Sequence, residues 1–396
     1  MAFEQIVLLG GARTAFGDFG KSLRDVPLSA LGTHVAAAAL RRSGVAPGDV
    51  DHLVFGLVGV VDHDGPFISR KVALDAGLPV ESAALTVTRA CGSGTQAIVS
   101  AAEQIATGHS RLAVAAGGEN FSRVPFVSRH MRYGAGRGPV EMEDGLDAIY
   151  RCPFSQALMG DTAEALAEHF GYERKAMDDW GYMSQMRAKA ATESGFLARQ
   201  IEPIEVPDGK RGTRSFAVDE FPRPGVTREK LAALKPAFKA GGTVTAGSSS
   251  GVTDGAAALV VAHAAALPAG VQPQARLVDY AVAGVPPEIM GVGPVPAIAK
   301  LLQQCQLEVA DIAYFEINEA FAVVNLHAEA QLGIPREQTN LYGGGISIGH
   351  PPGATGIRMT ITAMHHLADT GGRYGVVSMC LGSGMGMAVL IENLLR

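Results

Sequence analysis

Cys91 stands between the β-branched run Thr86-Val87-Thr88 and a glycine-rich turn, Gly92-Ser93-Gly94, that opens into helical spacing at Ala97, Ile98, Ala101, Ala102 and Ile105. A cysteine at such a strand-to-helix junction meets orphan backbone N–H groups and the positive end of a helix dipole. Both favour a thiolate and hence a nucleophile. The alternative is a buried cysteine that packs as a small hydrophobe. A second candidate is His350, enclosed in Asn340-Leu341-Tyr342-Gly343-Gly344-Gly345-Ile346-Ser347-Ile348-Gly349-His350-Pro351-Pro352-Gly353. That composition predicts an irregular loop holding an imidazole beside a closely approaching ligand. A third is Asn318, in Asn318-Glu319-Ala320-Phe321-Ala322 directly after an apolar run. In an open α/β sheet ligands bind beyond the carboxyl ends of strands, where an asparagine can orient water or meet an oxyanion; a turn or cap is the plainer role. Finally, Val376-Val377-Ser378-Met379-Cys380-Leu381-Gly382-Ser383-Gly384 repeats the order strand, cysteine, Gly-Ser-Gly.

The elements that must position these groups alternate. Strands are predicted at Gln5–Leu9, Asp51–Gly56, the run into Cys91, and Leu112–Ala116, with helices at Leu28–Arg42, Arg70–Leu78 and after Cys91. Apolar strand cores between helices predict a mainly parallel sheet covered on both faces. From Ser122 to Thr245 the pattern changes: arginines, methionines, prolines and the single Trp180 appear, with helices at Thr162–Phe170 and Trp180–Ser194. This reads as an inserted loop domain, after which Asp254–Val261 returns to the first sheet. The last third repeats the first, with a helix at Pro296–Gln306 and a strand at Asp311–Ile317. The cysteines at 91 and 380 then fall at the same place in two similar halves, which predicts a duplication.

At 396 residues, 47% hydrophobic and 18% charged, the chain has the composition of an ordinary soluble globular protein with room for two cores. A net charge of −6 argues against nucleic-acid binding. Four cysteines with no CxxC pair suit a reducing compartment, and no His/Cys spacing suggests zinc. The start, Met1-Ala2-Phe3-Glu4-Gln5, has no basic n-region, no segment is apolar enough for membrane insertion, and Asn393-Leu394-Leu395-Arg396 is no peroxisomal address. The expected localisation is cytoplasmic.

Over essentially its whole length the chain resembles the thiolases, the acetyl-CoA acetyltransferase and 3-ketoacyl-CoA thiolase group. The motifs that carry the resemblance lie in family order: Gly11–Gly17, Cys91–Gly94, Met159–Glu164, Lys235–Phe238, Gly242–Gly247, Asn318–Phe321, Gly349–Pro351 and Cys380–Gly384. The resemblance implies an α/β thiolase fold, with two duplicated βαβαβαββ halves forming a five-layered α/β/α/β/α core. The halves would be residues 1–121 plus 247–270, and 271–396; the inserted loop domain would be 122–246, with coenzyme A binding and oligomer contacts.

It also implies roles. Cys91 would take the acyl group as a thioester, His350 would accept its proton, and Cys380 would move the α-proton of the second acyl-CoA. His350 with a water on Asn318 would form one oxyanion hole, and the N–H groups of Cys91 and Gly382 the other. Glycine at 382 would keep a side chain from crowding the thioester oxygen. Arg223 matches a position near the nucleotide end of coenzyme A, and Ala246 and Ser250 match positions along the pantetheine. Met159, Phe238, Met290 and Phe321 match apolar walls. The implied reaction is acyl-CoA + acetyl-CoA ⇌ 3-ketoacyl-CoA + CoA, ping-pong, with coenzyme A thioesters as substrates and no metal or redox cofactor. The implied partners are acyl-CoA and a second copy of the chain, as a dimer or a dimer of dimers (a homotetramer), and the implied context is fatty acid metabolism.

Leu158 departs from the histidine of the acetyl-specific biosynthetic members. Leucine cannot hydrogen-bond a thioester or its water, which points toward a longer or branched acyl group. Two other readings stay open. One is a ketoacyl synthase-like condensing enzyme, which would lack the second cysteine; the other is a silent acyl-CoA-binding protein of the same fold.

Overall fold

The computed structural model describes residues 3–395. Met1-Ala2 and Arg396, read above for targeting signals, lie outside the described residues. The first half runs β1 (Ile6–Arg13), α1 (Leu28–Ser43), β2 (His52–Gly56), α2 (Ile68–Asp75), β3 (Ala83–Val87), α3 (Ser93–Ala106), β4 (Leu112–Glu119) and, after the insertion, β5 (Thr253–His263). The insertion carries α4 (Met159–Phe170) and α5 (Arg174–Glu193). The second half runs β6 (Ala275–Gly284), α6 (Pro294–Cys305), β7 (Ile312–Ile317), α7 (Ala322–Leu332), α8 (Pro352–Thr370), β8 (Tyr374–Leu381) and β9 (Met385–Asn393).

These nine strands take the order β7-β8-β9-β6-β1-β5-β4-β2-β3, and a two-residue strand at Gly17–Asp18 pairs with the start of β5 as a tenth. The two halves meet where β1 pairs antiparallel with β6 through only Val7–Arg276 and Leu8–Ala275. In the first half three strands run parallel (β2 with β3 and with β4) and in the second half two (β7 with β8). The remaining pairings along this order are antiparallel, so the sheet is mixed rather than mainly parallel as expected, because the last strand of each half returns antiparallel beside the half's first strand. Residues 122–246 add no strand to this sheet; each of their two short ribbons pairs only within itself. Strand sequences such as Ala256-Ala257-Ala258-Leu259-Val260-Val261 are apolar on both faces because helices cover both. One core forms under α1 and α2, a central one holds α3 and α8 between the half-sheets, and a third lies beneath α6 and α7. That is five layers.

The internal echo differs from the expected one. Cys91 precedes a helix, α3, whereas Cys380 lies within β8 and leads by a tight turn, with Ser383 at φ 72° and Gly384 at φ 88°, straight into β9. By strand order β8 corresponds to β4, and α8 corresponds to α3. The counterpart of Cys91 is therefore His350, two residues ahead of α8 as Cys91 is of α3. Strings of Cys and Gly-Ser-Gly match locally, but the elements downstream of them do not.

Glycine lets the two helix starts touch. A Cβ at Gly94 would stand 2.5 Å from the Gly353 carbonyl oxygen, and one at Gly356 would stand 2.5 Å from the Thr95 nitrogen. Real Cβ atoms do not approach so closely, so α3 and α8 can meet here only as glycines. The 340–353 stretch is also more regular than its composition predicts. Gly345–Ile348 forms one helical turn, and Pro352 and Gly353 already belong to α8, where proline fits the first helical position.

Candidate active site

Ala90 adopts φ 45°, an uncommon backbone for a residue with a Cβ, and so turns the chain sharply between β3 and α3. Ser93 secures the turn: its Oγ accepts from the Arg89 N–H (2.9 Å) and donates to the Ala90 carbonyl (2.7 Å). Cys91 sits in this turn, and its sulfur accepts from its own N–H and from that of Gly382. Burial nevertheless pushes the thiol up to about 11, opposed by those two N–H groups and abetted by the charge of Glu119. The expected thiolate stabilisation is thus overturned for the free protein. A helix terminus contributes typically 0.3–1 kcal/mol, roughly. The rise from the ordinary value of 9 corresponds to about 3 kcal/mol. Desolvation wins.

His350 is 5% exposed at the start of α8. Its Nδ1 lies 2.7 Å from Thr355 Oγ1, and that hydroxyl donates to the Pro351 carbonyl (2.9 Å). Having spent its hydrogen there, Thr355 must accept from Nδ1–H. The neutral ring therefore presents a lone pair at Nε2, 3.2 Å from Asn318 Nδ2. Burial first, and the charge of Arg358 second, hold the imidazole down to about 3. It is a neutral base at any physiological pH.

Asn318 comes directly after β7 and is tied to β8 by its N–H to the Ser378 carbonyl (2.9 Å). Its Oδ1 is buried with no hydrogen-bond partner among the described residues, which leaves an acceptor for a water or ligand. Cys380 is fully buried at the end of β8. Burial, then the nearby Cys91, push its thiol well above the ordinary range.

A cavity of about 450 Å³ opens onto these groups. Of the residues singled out from sequence, Cys91, His350, Gly382, Leu158, Met159, Phe238, Ser250, Met290 and Phe321 line it. Asn318 and Cys380 are buried behind that lining. Arg223 and Ala246 do not reach it: Arg223 pairs with Asp18 (3.0 Å) over the ring of Phe221, and Ala246 is exposed in a surface turn. Gly382 lines the cavity without close neighbours. A Cβ there would stand 3.4 Å from Met159 Sδ, an ordinary contact, so what it would take is cavity space.

Several functional positions escaped the sequence reading. Glu119, at the end of β4, accepts N–H bonds from Val58 (2.6 Å), Gly59 (3.1 Å) and Gly353 (3.2 Å), tying the β2 loop to the start of α8. Burial raises its carboxyl to about 8. Glu319 accepts from Trp180 Nε1 (3.1 Å), Ser184 (2.6 Å), Asn340 (3.2 Å) and the Ile346 N–H (3.2 Å), joining α5 of the insertion to both the Asn318 turn and the His350 loop. Tyr150 and Ile149 close the cavity beside Leu158, the tyrosine packed on Phe121 at 5.7 Å between rings. Glu319 lies inside the Asn318–Phe321 motif, where only its neighbour was given a role; no motif marks Tyr150 or Ile149, and the neighbouring glycines of β4 are the one local signal for Glu119.

Residues 6–265 match the family model for the thiolase N-terminal domain, and residues 271–393 match that for the thiolase C-terminal domain. The chain belongs to the thiolase family. It is 41% identical over 393 residues to the beta-ketothiolase BktB of Cupriavidus necator, covering 99% of this chain and 100% of that one. To the human mitochondrial 3-ketoacyl-CoA thiolase it is 39% identical over 390 residues, 98% of each chain. The crystal structure of that human thiolase in complex with CoA superposes at a TM-score of 0.94, with 98% of each chain covered. The acetyl-CoA acetyltransferase of Bacillus anthracis superposes at 0.95 with 40% identity, covering 99% of each. Among the described residues no helix is long and apolar enough to cross a membrane, and no group of three or more His, Cys, Asp or Glu side chains is arranged to hold a metal.

Proposed function

We propose that this thiolase is an acyltransferase catalysing acyl-CoA + acetyl-CoA ⇌ 3-ketoacyl-CoA + CoA through an acyl-Cys91 intermediate. The observation that carries the reading is the meeting of two helix starts, one with the Cys91 sulfur under the N–H groups of Cys91 and Gly382, the other with a neutral His350 whose Nε2 is a free base. In the first step His350 Nε2 takes the Sγ proton as sulfur attacks the thioester carbonyl. The coenzyme A thiolate then leaves with that proton. Once protonated, Nε2–H becomes a donor, and with a water on the unpartnered Asn318 Oδ1 it can meet a second oxyanion. The acyl-Cys91 carbonyl oxygen is met by the N–H groups of Cys91 and Gly382.

Cys380 moves the proton of the second acyl group. In thiolysis it delivers its proton to the α-carbon of the departing acetyl-CoA enolate; in condensation it takes that proton back. A thiol raised by burial is matched to a weakly acidic C–H, which is what efficient proton transfer needs. Sulfur and the enolate carbon are the nucleophiles and leaving groups of the two half-reactions, with no change of oxidation state, so the chemistry calls for no metal or redox cofactor. A second thiol at Cys380 favours this reaction over decarboxylative condensation, and the intact set of groups favours it over a silent binding protein.

Coenzyme A enters past Ser250 and Phe238 in this reading, and the apolar Leu158, Ile149 and Val58 receive an acyl group longer than acetyl. A homo-oligomer is supported by the one-sided edge strand β3, where Leu85 is exposed, and by the exposed Phe126, Met131, Tyr133 and Met142 of the insertion. A cytoplasmic location and a place in fatty acid metabolism complete the proposal. The test is solvent exchange of the acetyl-CoA α-proton. Cys380→Ala should still acylate on Cys91 yet lose exchange; normal exchange would remove Cys380 from the mechanism.

A further inference from the structure

Tyr314, Glu316 and Asn318 alternate along and just past β7, so their side chains point to one face. That face packs on α8, where Thr355 and Arg358 are three residues apart and share a side of the helix. Two polar layers result. In the upper one Thr355 holds His350, and His350 meets Asn318. In the lower one the Arg358 guanidinium and the Tyr314 hydroxyl both donate to the Glu316 carboxylate, and all three residues are no more than 1% exposed. Below that, Tyr314 stacks on His366 of α8 at 4.3 Å.

We infer that Glu316 and Arg358 are a positioning pair, locking α8 to β7 so that His350 Nε2 stays opposite the Asn318 side chain. The inference rests on the roles proposed above for those two residues. A packed apolar core would hold two elements together equally well or better, because burying an ion pair costs much of what it gains. Arg358 Nε, moreover, is buried with no partner among the described residues, so the site bears an extra cost. Directional bonds supply what apolar contacts lack, a fixed register along and around the helix, one turn below the group that moves the proton.

The test compares three variants in single-turnover acylation by acetyl-CoA, steady-state thiolysis and thermal melts. Glu316→Leu/Arg358→Met fills the space with apolar side chains. Arg358→Lys keeps the charge and loses the forked geometry. In both, kcat and the acylation rate should fall about tenfold to a hundredfold while KM for coenzyme A stays within about twofold, the mark of lost orientation. Arg358→Lys should be the milder. Wild-type kcat in either variant, or a fall in kcat only in proportion to unfolded protein, overturns the inference; if the double variant fails to fold, Arg358→Lys decides. His350→Ala is the control. Full acylation in that variant would overturn the mechanism itself rather than the positioning pair.

Discussion

Replacing Gly94 with alanine tests whether the contact between α3 and α8 sets the reacting distance. The new Cβ would stand 2.5 Å from the Gly353 carbonyl oxygen, a backbone atom that cannot rotate away. An ordinary contact of about 3.4 Å requires the two helix starts to separate by roughly 0.9 Å. Cys91 is two residues ahead of α3 and His350 two ahead of α8, so the separation acts on the sulfur-to-imidazole distance almost directly. A misplacement of about 1 Å at a reacting centre costs roughly a hundredfold in rate, and overpacking costs about 1–3 kcal/mol in stability. Gly94→Ala should therefore slow acylation by acetyl-CoA about a hundredfold, measured as single-turnover release of coenzyme A, with a modest drop in Tm. Gly48→Ala is the control, because a Cβ there meets nothing within 4 Å. If Gly94→Ala acylates at the rate of that control, the helix contact does not set the geometry.

The free Cys91 thiol, raised to about 11 beside an imidazole lowered to about 3, should alkylate with iodoacetamide at a rate that climbs with pH beyond 9. A plateau from pH 5 to 8 would reveal a thiolate–imidazolium pair instead. Glu119 is an acid whose folded-state value, about 8, exceeds its ordinary 4.5, so the unfolded chain holds fewer protons between those limits. Stability should accordingly fall as pH rises from about 5 to 8, and chemical denaturation of Glu119→Gln should lose that slope. Leu158→Ala opens the acyl end of the cavity by three carbons. With each methylene contact worth about 1–3 kcal/mol, kcat/KM for medium-chain 3-ketoacyl-CoA relative to acetoacetyl-CoA should rise at least about tenfold.

Much of this site was legible in the chain because its chemistry is local. Cys91, His350 and Cys380 each sit at a strand end or helix start marked by glycine or proline, Asn318 follows directly on the apolar run of β7, and helix limits such as Gly44, in the left-handed region at φ 71°, are written in single residues. The type of element downstream of a motif was harder to read. The Gly-Ser-Gly after Cys380 resembles a helix start, yet Met385–Asn393 is apolar without helical spacing and forms β9, so the true internal partner of Cys91 is His350. The groups behind the site were not legible at all. Glu119, Glu319 and the Glu316–Arg358 pair are charged residues in apolar surroundings, and only the packing of separate elements shows what they touch. Arg223 was singled out only by its family position, and its pairing with Asp18 outside the cavity is likewise visible only in the packing.

The central claim is that Cys91 carries the acyl group. Intact-protein mass measurement after mixing with acetyl-CoA, without a second substrate, tests it most directly. One acetyl group per chain should appear on the wild type, map to the peptide containing Cys91, vanish on addition of coenzyme A, and be absent from Cys91→Ala. Stoichiometric acetylation of Cys91→Ala, or a label that maps elsewhere, would contradict the account.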